Sequence, residues 1–186
     1  MDYQWYEIFD QSDSVRLMQG DLVFNCPVVK PPSNYKNGGT PEIEIDEYNV
    51  VVMTQSCDLD NDKVNIVLVC PFYSWSEFIN NADDSVKSKK GQPKLWEDLK
   101  KGALPAYHLL MVDKDSILKE PIVVVFKDIF GIHISSIKLH LKNSKNCLRL
   151  LPPYREHLSQ AFARYFMRVG LPQNIPSFSE QFSKNN

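Results

Sequence analysis

Cys57 stands in a polar turn, Gln55-Ser56-Cys57-Asp58-Leu59-Asp60-Asn61-Asp62-Lys63, and His157 stands far along the chain on a predicted helix. A thiol becomes a nucleophile when a nearby base or cation lowers its pKa. If the last helix packs over the turn, His157 can take the thiol proton while Asp58 or Glu156 orients the ring. The structural alternative is that Cys57 points inward and Asp58 and Asp60 cap backbone amides, as Asp commonly does in turns. A second chemistry is phosphate binding. His157, Gln160, Arg164 and Arg168 are spaced by three, four and four, so a helix aligns them along one side, with Tyr154 and Arg155 at its start. Guanidinium forks fit phosphate oxygens, an aromatic ring can stack on a base, and an imidazole can serve as acid or base in RNA cleavage. Against this, the arginines could pair with acids of the domain or cover apolar surface with their stems. Asp58, Asp60 and Asp62 alternate as calcium ligands do. The glycine and closing glutamate of such a loop are missing, so no metal site and no cofactor is assigned.

The remaining candidates read as structural. His108, His133 and His140 fall in apparent core or edge segments. Cys26, Cys70 and Cys147 match no zinc or CxxC spacing and read as reduced, buried thiols.

These residues need a scaffold. Val50-Val51-Val52-Met53 and Ile66 to Val69 are near-continuous apolar runs, the pattern of strands covered on both faces. The polar turn lies between them, anchored at both ends in the core. Leu22 to Val29 reads as a first core strand after Gly20. Residues 30–41 are rich in Pro, Asn and Gly and read as a surface loop, and Glu42 to Asp46 alternates as a half-exposed strand does. Trp75, Phe78 and Ile79, then Leu95, Trp96 and Leu99, fall at helical spacing. They predict a helical insertion over 74–102 whose lysines form a solvated surface. Ala106 to Asp113 and Ile122 to Phe130 predict further strands, and residues 132–143 a short helix and turn. Pro152-Pro153 opens a last helix over 153–169 that Gly170 and Pro172 stop. The N-terminal aromatics pack onto the domain, and residues 173–186 form a frayed polar tail carrying Phe178 and Phe182.

With 186 residues, the chain fits one domain, 1–186. It is 43% hydrophobic, enough for a core, and a formal charge of −2 argues against a protein that coats duplex nucleic acid. No basic, apolar leader opens it and no apolar run approaches ~20 residues, so a cytoplasmic protein without membrane contact is expected.

Gly20-Asp21-Leu22-Val23, then Val50-Val51-Val52-Met53-Thr54-Gln55, then Val67-Leu68-Val69-Cys70-Pro71 resembles the front half of the MazF/PemK group. These are small SH3-like barrels acting as toxin endoribonucleases in bacterial toxin–antitoxin pairs. The resemblance covers about a third of the chain and implies an α+β fold. Its small SH3-like barrel would have strands within 20–72 and 104–131, plus the helical insertion and the C-terminal helix. It also implies a homodimer. Two departures stand out: Tyr48-Asn49 replaces the arginine usual before the second core strand, and only Ser74 partly matches the Thr or Ser usual after Cys-Pro. The turn at Thr54 to Leu59 and the segment Pro153 to Gln160 also resemble signatures of uncharacterised bacterial proteins. The expected role is a toxin–antitoxin or defence-type protein that binds RNA or another phosphate-bearing ligand near the 54–60 turn, with RNA cleavage as a further expectation. The alternative is a non-enzymatic module that binds a protein partner.

Overall fold

The computed structural model describes residues 4–9, 16–30, 43–60, 63–113, 117–144 and 147–167. The strands are β1 (Tyr6–Phe9), β2 (Asp21–Lys30), β3 (Glu44–Val52), β4 (Ile66–Ser74), β5 (Tyr107–Leu110), β6 (Ile122–Val125), β7 (Phe130–His133) and β8 (Cys147–Leu150). The helices are α1 (Ser56–Asp60), α2 (Trp75–Asn80), α3 (Asp84–Lys87), α4 (Gly91–Lys100), α5 (Ile134–Lys142) and α6 (Tyr154–Phe166). The fold is mixed α+β around an antiparallel sheet ordered β1-β8-β2-β3-β4-β6-β5, with β7 also on β4.

The two apolar runs are the central neighbours β3 and β4, paired Val51 to Cys70. Successive side chains of a strand point to opposite faces. Both faces are covered over Val50 to Val52 of β3 and Val69 to Phe72 of β4, whereas Ile66 and Leu68 at the start of β4 are 51% and 43% exposed, against the sequence expectation. Val51, Cys70 and Phe72 join one core with Leu22, Phe126 and Leu158 of α6. Val50, Val52, Val67 and Val69 join a second with Leu59 of α1 and Ile137 and Leu141 of α5. That double burial is why Val50 to Val52 and Val69 to Phe72 do not alternate with polar residues; Ile66 and Leu68 are apolar although exposed. β6 and β7 lie in succession along the other edge of β4. The step from Phe72 to Val69 on β4 is matched by Val124 to Phe130, so residues between β6 and β7 bulge out of the ladder.

The structure departs from the sequence reading at several points: the polar turn holds the short helix α1, and the single strand expected over Ile122 to Phe130 is split into β6 and β7. Cys147–Leu150, not read as a strand, pairs with both β1 and β2. The sheet also does not close into a barrel by backbone pairing: β1 and β5 end the order without pairing with each other. A carboxylate joins those two edges instead. Asp113, just past β5, accepts from Trp5 N at 2.8 Å and from Tyr6 N at 3.0 Å, while Leu151 N donates to Trp5 O at 2.8 Å. Trp5 is thereby held next to the start of α6. Gly20, at φ +85°, makes the turn into β2. Asp21 is fully buried there.

Candidate functional site

A groove of about 710 Å³ runs between the C-terminal end of α4, the edge strand β5 and one side of α6. Each element contributes for a local reason. Gly102, at φ +66°, donates its N–H to Leu99 O and ends α4, leaving Lys100 and Lys101 at that terminus, where cations are favoured. β5 brings His108. Leu158 is buried on the core side of α6, so His157, Gln160, Ala161 and Arg164 fall on the groove side. Trp5 and Trp96 form the walls. Trp5 is fixed by stacking on Tyr154, with ring centroids 3.5 Å apart and planes 10° from parallel.

The electrostatics are one-sided. No Asp or Glu lines the groove among the described residues. Arg164 has no ion pair among them, and its guanidinium lies beside Gly102. Lys100 and Lys101 share one exposed carboxylate, Glu97, at 3.7 and 4.0 Å. Such loose surface pairs contribute little and leave positive charge to spare. His108 is half-buried with Phe126 stacked at 6.2 Å. Burial first, and then the neighbouring His157, push the His108 imidazole down to about 4, so it is neutral at pH 7. The groove thus offers a neutral imidazole, an exposed imidazole, two ammonium groups and a guanidinium between aromatic walls.

The residues singled out in the sequence divide between two places. His157 and Arg164 enter the groove. Tyr154 borders it, but Trp5 occupies one of its faces, so Tyr154 holds the wall in place. Arg155 turns away: its guanidinium meets Glu156 at 2.7 Å and its stem lies over Gly20. Arg168 and Asp62 lie outside the described residues, as do residues 31–42 and the tail with Phe178 and Phe182. Cys57 and Asp58 are on α1, where the Cys57 thiol donates to Gln55 Oε1 at 3.7 Å and Asp58 Oδ1 at 3.8 Å. Among the described contacts none joins either residue to His157. Asp60 is held in a two-pronged pair by Arg16. The described residues contain no group of three or more His, Cys, Asp or Glu that could hold a metal.

Two motifs behind the family resemblance serve the scaffold. Asp21 accepts from Arg149 Nε at 2.6 Å and from Met18 N at 2.8 Å, both within the fold. Ser74 caps α2: its Oγ accepts from Glu77 N while its own N–H donates to Glu77 Oε2. His108, Lys100, Lys101, Trp5 and Trp96 were not read as functional, because no spacing in the sequence connects the segments that carry them. The faint signal was compositional: Lys100-Lys101-Gly102 is a basic helix end.

No protein-family model matches the chain, and no curated protein matches it. No helix among the described residues is long and apolar enough to cross a membrane.

Proposed function

We propose that the groove binds RNA or another phosphate-bearing ligand and that, with RNA bound, its two imidazoles serve strand cleavage. One observation carries the reading: His108, His157, Arg164, Lys100 and Lys101 converge between two indole walls with no carboxylate among the lining residues. Arg and Lys supply forked and point-charge donors to phosphate oxygens. In cleavage, neutral His108 takes the proton of a ribose 2′-hydroxyl as its oxygen attacks phosphorus. His157, as the acid, gives a proton to the departing 5′-oxygen, leaving a cyclic phosphate and a 5′-hydroxyl. The cations offset the charge that builds on the phosphoryl oxygens. This route uses no thiol, so Cys57 and Asp58 take no part.

The wider setting rests on the MazF/PemK resemblance. It is a bacterial toxin–antitoxin or defence protein, with the sheet as an SH3-like barrel bridged at one edge by Asp113. The test is labelled single-stranded RNA at low salt against the wild type and a His108→Ala, His157→Ala variant. Binding that weakens as salt rises, with cleavage by the wild type alone, supports the full reading. Binding without cleavage removes the acid–base step, and absence of binding removes the reading.

The partner-binding reading, including a homodimer, has its own observation. Val29 and Ile45 oppose each other across β2 and β3, with Ile43 two residues further along the same face, and each is at least 60% exposed. Light scattering of the wild type and Ile45→Glu tests it. A complex lost in the variant supports it, and a monomer in both cases dismisses the homodimer.

A further inference from the structure

Trp96 borders both the groove and a second cleft of about 570 Å³, which Trp75, Lys87, Lys89, Gln92 and Pro93 also line. Trp75 and Trp96 meet edge to face, centroids 5.1 Å apart at 83°, and both are only partly buried. In this edge-to-face pair the edge of one indole covers one face of the other, and the remaining ring faces point in different directions. Both cleft lysines are exposed, and Lys87 has only a long contact to Asp84 at 3.9 Å, with the Asp84 side chain fully in solvent. No Asp or Glu is among the described residues bordering this cleft either. The second cleft therefore shares two features of the groove, aromatic rings and ammonium groups held only by loose surface pairs, and the two meet at Trp96.

We propose that this second cleft is a base-stacking subsite for single-stranded nucleic acid, and that a strand bound in the groove continues across Trp96 onto Trp75. The inference rests on the phosphate-binding reading of the groove and narrows its ligand. A continuous single strand can place one base on each side of Trp96 while its backbone meets Lys100 and Lys101 on one side and Lys87 and Lys89 on the other. Stacking is tolerant of sequence and needs unpaired bases, which a duplex does not offer. A dinucleotide whose phosphate lies at the two imidazoles keeps both bases on the groove side of Trp96 and stops short of Trp75.

The experiment compares a dinucleotide with a single-stranded RNA of about ten nucleotides and with the same RNA as a duplex. Dinucleotide binding is read from the ring-proton resonances of His108 and His157. Oligomer binding is read from fluorescence anisotropy across a salt series. The variants are Trp75→Leu and, as a surface change that leaves the packing alone, Lys87→Ala with Lys89→Ala. We expect the single strand to bind at least tenfold more tightly than either the duplex or the dinucleotide. Trp75→Leu should lose about tenfold for the oligomer. The lysine pair should make the salt dependence shallower by about one unit of log–log slope. Dinucleotide binding should be unchanged in both variants. Equal affinity for dinucleotide and oligomer, a duplex bound as well as the single strand, or variants that weaken both ligands alike would overturn the subsite and leave the groove standing. If the wild type binds neither ligand, the groove reading itself fails.

Discussion

The turn after β3 and the groove beside α6 both hold the residue types of an active site, yet they differ in what those residues face. Around the turn and its neighbours the polar groups satisfy one another. Asp21 meets Arg149 and Met18 N, Asp60 meets Arg16, Thr54 Oγ1 takes the Leu68 N–H, and Gln19 links Met53 O to Ser159. In the groove, His157, Arg164 and the lysines face open space with no carboxylate along the lining. Groups that complete one another hold a fold together, whereas groups of one charge left open to a cleft suit a ligand of the opposite charge. Position in a sequence motif does not distinguish the two cases, but the partners do.

The sharpest way to break this comparison is to exchange the expected effects. Asp21→Ala should destabilise the protein by about 3 kcal/mol in urea denaturation, because it leaves Arg149 charged and mostly buried with only the Glu7 carboxylate, at 3.9 Å, and Arg16 O near it. A small loss there would mean the motif is not structural. His108 gives the next largest effect. Its folded pKa is depressed from 6.5 to about 4, so below pH 6.5 the unfolded chain takes up a proton that the native groove refuses. Its contribution is complete above pH 6.5 and is lost as pH falls towards 4. That amounts to about 2 kcal/mol between pH 7 and pH 5. His108→Gln should flatten this part of the stability profile, and an unchanged slope would show that His108 is not buried as described. A bound phosphate should raise the same pKa, so affinity should increase as pH falls through this range.

Arg164→Ala should leave stability within about 0.5 kcal/mol of wild type. It should weaken RNA binding about tenfold, or ~1.4 kcal/mol. If stability falls and binding does not, Arg164 belongs with the scaffold. Cys57→Ser is expected to do least, with stability, RNA affinity and any cleavage rate all close to wild type. A large loss of cleavage in that variant alone would restore the thiol mechanism and reverse the assignment of the two regions.

Much of the scaffold was legible because burial on both faces leaves a composition signature. Val50 to Met53 reads as a strand covered on both faces and is one, and Pro153 followed by a one-sided apolar stripe reads as a packed helix. Ile66 to Val69 reads the same way as Val50 to Met53, yet Ile66 and Leu68 are exposed and only one face of that run is covered. β8 was missed because Cys147–Leu150 is short and carries Arg149, whose charge obscures a position that Asp21 neutralises from another strand. Half of the site was legible for a similar reason: the helical period aligns His157 with Arg164 whatever the tertiary fold. His108 read as a core histidine, and it is indeed half-buried. Only the placement of β5 against α6 makes that burial part of a groove.

The sequence alone determined what local periodicity controls: an α+β chain, two apolar central strands, and a last helix with a polar side bearing an imidazole and guanidinium groups. The tertiary structure decided which polar groups meet. Whether a charge is neutralised depends on residues as distant as Asp21 and Arg149, and whether it stays open depends on which edges face each other. Asp113 brings the start of β1 to the end of β5, Trp5 docks on Tyr154, and the end of α4 comes to lie opposite α6. Those contacts join segments that share no spacing in the chain, and without them His108, His157 and Arg164 form no site.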